Sequence, residues 1–358
     1  MPLDPEHLTP AASVNRVRIV DLPGLHLPDN VRDKTALDLC SQAALARQIR
    51  EIAPRLGIPG TLDDAELPPA LAACLSSADP DARSVAEAVC ADYGRNLGLV
   101  IATLKRGDGV NRRAREEWDE SYWRHWAGVR RLWLAGGLVS GALGVLVREH
   151  VTRALLEAGV RDCEVRVFAK PSVLPLVGAA RGVIADARAV LVTDFGQTKL
   201  KSAVAVYDTG RLQRIDVLPE MPSVVSAPNV AEAMALRLAG LYRAEEAKAN
   251  RLAPEIAVCI ASYVRDNHPY NYTRTQFAVL HRDTDNLGDW LTARLSDLVG
   301  CELRVRLLHD GSAAANAFAG EPNTAVIMMG TALGVGFPSL VRPASALAPD
   351  FEIKDADS

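Results

Sequence analysis

Between residues 189 and 308 the chain runs through apolar segments of two kinds in one order. Ala189–Thr193, Ala203–Tyr207 and Leu212–Leu218 are short and rich in β-branched residues, and Asp208-Thr209-Gly210 supplies tight-turn chemistry between the second and third. The spacing predicts an antiparallel meander of three strands. A helix over 229–251, a strand over 255–261, a helix over 287–299 and a strand over 303–308 follow. A meander followed by two helix–strand units is an α/β arrangement.

The flanks carry fewer signals. Residues 1–15 read as a loose arm, and Arg16–Leu22 alternates as a strand does. Residues 35–57 and 81–105 have helical patterns, and the charged stretch 108–120 reads as an exposed excursion. A short strand at 131–134, a glycine turn, a helix over 143–158, a strand at 164–168 and a short helix at 172–181 complete the first half. Thr324–Met329 is the last clear strand, and the final ten residues, ending in DADS, read as mobile.

Composition excludes several classes. The 358 residues are 49% apolar and 23% charged, which suits one large or two ordinary globular domains. Net charge is −4 with no basic run, so nucleic acid is not an expected partner. The six cysteines form no C-x-x-C pair, and no zinc is expected. The N-terminus has no apolar signal core, and Leu132–Val147 is too short and glycine-rich to span a bilayer. A cytoplasmic protein without a membrane partner is the expectation.

Four segments carry candidate chemistry. Asp194-Phe195-Gly196-Gln197-Thr198-Lys199 falls at the first turn of the meander. Gly196 permits close backbone approach, main-chain N–H groups and Thr198 can donate to phosphate oxygens, Lys199 adds positive charge, and Asp194 can hold a hydrated Mg²⁺. An ordinary hairpin turn fits the same residues. His309-Asp310-Gly311-Ser312-Ala313-Ala314-Ala315 follows a strand and opens a helix, so Asp310 is either a base for a substrate hydroxyl or an N-cap, with His309 structural. Gly330-Thr331-Ala332-Leu333-Gly334-Val335-Gly336 suits a second phosphate-facing hairpin or a plain glycine turn. Gly136 and Gly137, in Leu134–Ser140, join a strand to a helix, with or without a nucleotide against their bare backbone.

Taken together, these segments resemble the sugar kinase, actin and heat-shock ATPase superfamily, and within it the ROK (repressor, open reading frame, kinase) family of sugar kinases. Asp194–Lys199 is similar to the family's D-x-G-G-T-K, with Gln197 in place of a glycine. His309–Ala315 is similar to N-D-x-N-A-A-A, with His309 and Ser312 replacing asparagines, and Gly330–Gly336 to G-T-G-x-G-x-G, with Ala332 departing. Gly136–Ser140 is loosely similar to G-G-G-V-S, and Leu176-Val177-Gly178-Ala179-Ala180 to the closing L-x-G-A-A helix. The family's zinc-binding C-x-C-G-x-x-G-C element and its G-E-x-G-H sugar segment are absent. The order also differs, since the adenosine segment and closing helix precede the first phosphate motif, which a circular permutation joined near 182–189 would produce.

The resemblance implies two RNase H-like lobes with a central cleft. One lobe is 1–181 plus 322–358 and carries the adenosine and second phosphate motifs. The other is 189–320 and carries the first phosphate motif, the acceptor pocket and the catalytic aspartate. It further implies ATP and Mg²⁺, with Asp310 catalytic, Asp194 on the metal through water, and Gly196, Gln197, Thr198, Lys199, Gly330, Thr331, Gly136 and Gly137 around the nucleotide. The acceptor is expected to be a sugar, aminocyclitol or nucleoside hydroxyl, met by the polar, aromatic loop Val264–Tyr272 through Asp266, Asn267, His268 and Asn271, and by Asn286. A homodimer is compatible. The competing readings are a sugar-binding regulator that keeps the fold without catalysis, and an actin-like or chaperone ATPase with a protein partner.

Overall fold

The computed structural model describes residues 3–183, 188–248, 252–272, 275–341 and 343–355. Its contacts divide the chain into two compact α/β units.

The first unit comprises chiefly Ala11–Ser172 and Asn323–Val335. Its helices are α1 (Ala36–Cys40), α2 (Gln42–Leu56), α3 (Leu67–Cys74), α4 (Pro80–Arg106), α5 (Gly109–Arg113), α6 (Glu120–Gly128) and α7 (Gly141–Glu157). Its strands are β1 (Arg131–Ala135) and β2 (Glu164–Val167), with β11 (Thr324–Met329) and β12 (Leu333–Gly336) from late in the chain. They form one sheet in the order β12-β11-β1-β2, in which β11, β1 and β2 run parallel. The long helix α4 starts on an Asp79 cap with Pro80 behind it and ends at Gly107 in the left-handed region, φ 54°. It packs on α7 at glycines: a Cβ on Gly98 would lie 2.6 Å from Ala154 Cβ and 2.9 Å from the Val151 carbonyl.

The second unit comprises Pro5–Pro10, Val173–Pro322 and Gly336–Ser358. It contains α8 (Leu174–Arg181), β3 (Ala189–Phe195), β4 (Lys199–Asp208), β5 (Arg211–Val217), the short β6 (Met221–Pro222), α9 (Val230–Ala247) and β7 (Leu252–Ile260). A small hairpin, β8 (Val264–Arg265) and β9 (His268–Pro269), follows. Then come α10 (Leu280–Asp283), α11 (Leu287–Val299), β10 (Arg304–His309), α12 (Asp310–Asn316) and β13 (Ala346–Lys354). The main sheet has the order β10-β7-β3-β4-β5-β13, with β6 beside β4. The meander β3–β4–β5 is antiparallel, while β7 is parallel to β3, and β10 to β7. Thr209 and Gly210 both take positive φ, 47° and 75°, as a tight two-residue hairpin turn between β4 and β5 requires. Helices α9 and α11 cover one face over a core that includes Leu191, Phe195, Leu238, Ile256 and Leu291. On the other face α8 and α12 meet at backbone distance, because a Cβ on Gly178 would fall 1.7 Å from the Ala313 carbonyl.

Several expectations are corrected. Arg16–Leu22 is not a strand: Val17 and Ile19 bond to the 34–36 turn, and only Arg18 bridges Thr35. The helix expected over 35–57 breaks at Ser41, which caps α2 through the Ala44 N–H. The charged excursion 108–120 is not wholly exposed. Arg115 is buried and donates to the Ala11 and Ser13 carbonyls, which ties down the supposedly loose arm. The last strand is β13 rather than 324–329, and it pairs parallel with β5 where a mobile tail was expected. Residues 174–181 and 346–354 therefore belong with the second unit, not the first, because α8 packs on α12 and β13 extends the β5 edge. The proposed junction at 184–187, residues 249–251 of the expected helix and the last three residues lie outside the described residues.

Candidate functional site

Three parallel strands of the second unit, β3, β7 and β10, end in one register row: Phe195 opposite Ile260, and Ile260 opposite His309. Ligand sites in α/β sheets form at the carboxyl ends of such strands. Asp194 lies one residue inside that row, opposite Lys201 on β4 and Cys259 on β7, and Asp310 follows β10 directly. Strand alternation turns Leu191 and Phe195 toward α9 and α11, so Asp194 points to the face of α8 and α12, where Asp310 opens α12.

Asp194 is 4% exposed. Its Oδ2 lies 3.6 Å from Lys201 Nζ, and its Oδ1 is buried without a hydrogen-bond partner among the described residues. Burial pushes its carboxyl up to about 6; Lys201 opposes the shift and Asp310 adds to it. Burial likewise pushes Asp310 up to about 6, against the Gly311 N–H and Lys201. Asp310 Oδ1 accepts from the Gly311 N–H at 2.7 Å and lies 3.2 Å from His309 Nε2. The half-buried Lys201 ammonium thus acts on both carboxyls, whose raised range is the one in which general acids and bases in clefts work. Lys201, beside Asp194, is a residue of this site that no motif singled out. Its signal was a lysine two positions beyond Lys199, facing the same way on β4.

The first phosphate segment is arranged otherwise than its motif implies. The Gly196 N–H is already engaged by the Asp194 and Lys199 carbonyls, at 3.1 and 3.0 Å. Gln197 turns to Thr275, donating from Nε2 to Oγ1 at 2.8 Å. Lys199 pairs with Glu220 at 2.6 Å in solvent, and Thr198 is exposed. The residues expected at the acceptor also have local tasks. Asp266 and Asn267 form the β8–β9 turn with φ of 50° and 63°. Asn267 then closes the open edge of β10, donating to the Val305 carbonyl at 3.0 Å and accepting from the Leu307 N–H at 2.6 Å. His268 Nδ1 accepts from the Leu287 N–H, and Asn286 caps α11 while donating to the Asp266 carbonyl. Asp266 is 89% exposed beside Arg265, and Asn271 is exposed. Nearer to Asp310 stands an aromatic wall: Tyr263 stacks on His309 at 4.4 Å and meets Tyr272 edge-on at 5.6 Å.

In the first unit, Gly136 (φ 95°) lies where any Cβ would sit 2.3 Å from the Met329 carbonyl, so the β1 end presses on the β11 end. The Gly136 N–H donates to Pro171, Gly137 has open space beside it, and Ser140 makes no side-chain cap to α7 among the described residues. Gly330 accepts from the Gln42 N–H at the start of α2, and Thr331 is exposed. A groove of about 650 Å³ in this unit, with Asp29, Lys34, Arg47 and Asn96 in its lining, includes none of the residues predicted from the motifs.

Among the described residues no group of three or more His, Cys, Asp or Glu is arranged to hold a metal ion. None of the described helices is long and apolar enough to cross a membrane. No known protein-family model matches the chain, and a search of curated proteins returns no match.

Proposed function

We propose that this protein is an ATP-dependent phosphotransferase that acts on a hydroxyl of a sugar-like small molecule, with a circularly permuted actin-like fold similar to that of ROK sugar kinases. The observation that carries the reading is that Asp194 and Asp310 stand at the carboxyl ends of β3 and β10, near enough for Asp310 to raise the Asp194 carboxyl, with Lys201 beside Asp194 and one Asp194 oxygen unpartnered among the described residues. Strand order supports it further. Counting β3, β4, β5, β7 and β10 as one to five, the second unit's sheet runs 5-4-1-2-3 before β13, the order of an RNase H-like sheet. Counting β11 and β12 as one and two, and β1 and β2 as four and five, the first unit's sheet runs 2-1-4-5. That is the same order without a third strand, and with its later half placed first in the chain.

In this mechanism Asp310 takes the proton of the acceptor hydroxyl as its oxygen attacks the terminal phosphorus of ATP, and the bond to the bridging oxygen of ADP breaks. Asp194 fits a hydrated Mg²⁺, because its free Oδ1 is a hard oxygen donor and Mg²⁺ keeps most of its waters when bound by one or two carboxylates and phosphates. Mg²⁺, when bound, supplies charge neutralisation to the phosphates. Lys201 stabilises the ionised carboxylates. Gly136, Gly137, Gly330 and Thr331 are the proposed nucleotide contacts of the first unit. Tyr263 and Tyr272 favour an acceptor with an apolar ring face, such as a cyclic polyol.

The non-catalytic sugar-binding regulator is the second reading. It is favoured by Gln197 and Lys199 being engaged with Thr275 and Glu220 rather than left for phosphates. A thermal-shift screen with Mg-ATP and polyols, followed by ATP-consumption assays on the hits, separates the two. The kinase reading predicts acceptor-dependent ADP release that Asp310→Asn abolishes while ATP binding persists. Polyol binding without ADP release would establish the regulator, and full transfer by Asp310→Asn would remove Asp310 from the chemistry.

A further inference from the structure

His309 is the last residue of β10, with its side chain 7% exposed, and its ring is held on three sides. The Ser312 N–H donates to Nδ1 at 3.2 Å, and Ser312 Oγ lies 3.1 Å from the same nitrogen. A ring nitrogen that accepts a backbone N–H carries no proton of its own, so in the neutral ring the hydrogen sits on Nε2. Nε2 lies 3.2 Å from Asp310 Oδ1. Tyr263 stacks on the ring with an interplanar angle of 21°, which fixes its plane. The Gly311 N–H reaches the same Asp310 oxygen at 2.7 Å. Oδ1 is therefore hydrogen-bonded by Gly311 and approached by the His309 ring.

We propose that His309 is a positioning residue: its Nε2–H, together with the Gly311 N–H, occupies Asp310 Oδ1 and leaves Oδ2 as the oxygen that receives the substrate proton. This rests on the reading of Asp310 as the base of a phosphotransferase. The hydroxyl proton moves to Oδ2, the hydroxyl oxygen bonds to phosphorus as ADP departs, and Oδ2 then releases the proton to solvent. His309 gains and loses none, since burial holds its ring neutral, with a pKa near 3. The titratable and charged groups around the pair are Lys201 on β4, Asp194 on β3, Cys259 on β7 and Tyr263 in the loop after it. An asparagine, which the resembled motif carries here, offers an N–H donor but no ring to stack.

The test uses the full chain and two kinds of readout. His309→Phe keeps a ring against Tyr263 and removes both nitrogens, while His309→Asn restores a donor. With His309→Phe, kcat is expected to fall about tenfold or more at unchanged KM for Mg-ATP. The acidic limb of the pH–kcat profile should move to higher pH, because a carboxylate that loses a donor is harder to ionise. His309→Asn should recover part of both effects. Independently of activity, ring-nitrogen NMR of the unliganded protein should report the Nε2–H tautomer from about pH 5 to 8. An Nδ1–H or doubly protonated ring in that range, or an unmoved acidic limb in His309→Phe, overturns the proposal. Absence of transfer to every acceptor would instead sink the kinase reading, and the NMR result would still decide whether His309 holds Asp310. Should His309→Phe fail to fold, His309→Asn and the wild-type spectrum carry the decision.

Discussion

Burial raises the carboxyls of Asp194 and Asp310 to about 6, with Lys201 opposing the shift at both. In this window the folded protein holds protons that the unfolded chain has released, so these two groups make stability fall as pH rises from about 4 to about 6. His309 acts in the opposite sense: its pKa is depressed to about 3, so the stability it contributes is lost as pH falls below its usual 6.5. Two acids against one base leave a net decline, at most about 1.4 kcal/mol per pH unit. Asp310→Asn removes one partly buried charge while keeping an acceptor for the Gly311 N–H. It should be more stable than the parent at pH 7 by roughly 1–3 kcal/mol, with the difference vanishing near pH 4. Urea titrations across that range measure it, and a difference independent of pH would contradict the raised pKa. Catalysis shares the window: both carboxylates must be ionised, so kcat should drop on the acid side of about pH 6. Asp194 and Asp310 were legible in the sequence because each ends an apolar strand in a short motif. The bonds of Gln197 and Lys199 were not, because Thr275 and Glu220 are distant or unremarkable in sequence and become neighbours only through the fold.

At the scale of elements, the meander and the two helix–strand units were readable because each apolar run fills its strand on both faces: every residue of β3 is buried. Arg16–Leu22 misled by the same logic. Val17, Ile19 and Leu22 are fully buried, yet they tuck an extended segment under a turn without a ladder. The hairpin after β7 shows why hydrogen-bonding side chains in a loop are weak evidence for a substrate. Asn267 looked like a sugar ligand, but both ends of its amide serve the exposed edge of β10, and a Cβ on Gly288 would strike it at 1.9 Å. Asn267→Ala should therefore lower stability by about 1–3 kcal/mol, since it leaves the Val305 carbonyl and the Leu307 N–H unpaired. It should leave the KM for the acceptor within about twofold, because uniform binding is lost only when a direct contact goes. Steady-state kinetics beside a urea melt decide this, and a large rise in KM at unchanged stability would return Asn267 to the acceptor site. Gly178 makes the companion case. Any side chain there drives α8 off the Ala313 carbonyl, so Gly178→Val should cost several kcal/mol, about 3 or more, measured the same way.

For the whole molecule, neither unit is a continuous piece of chain, and the second draws its last strand from beyond the first unit's β11 and β12. The C-terminal segment is secured before β13 begins. Ser345 is fully buried, its N–H donates to the Arg181 carbonyl and its hydroxyl to the Val183 carbonyl at 2.9 Å. Arg181, itself buried, donates to the Ala317 and Ser345 carbonyls. β13 then lies parallel to β5 through Ala346–Leu347 and Glu352–Lys354, with a bulge between. This strand went unread in the sequence because only Ala348 of its nine residues is buried and a proline interrupts it, although residues 350–354 alternate. Backbone pairing and the Ser345 bonds are prominent among what holds it. A chain stopped after Lys354 should melt with the parent. A chain stopped before Ser345 uncovers the β5 edge and strips the buried Arg181 of a carbonyl partner, so it should lose on the order of 3–5 kcal/mol and melt well below the parent. Calorimetry of the two truncations tests the assignment. Equal melting of both would mean that β13 is not an integral strand of the second unit, and would restore the free tail that the sequence suggested.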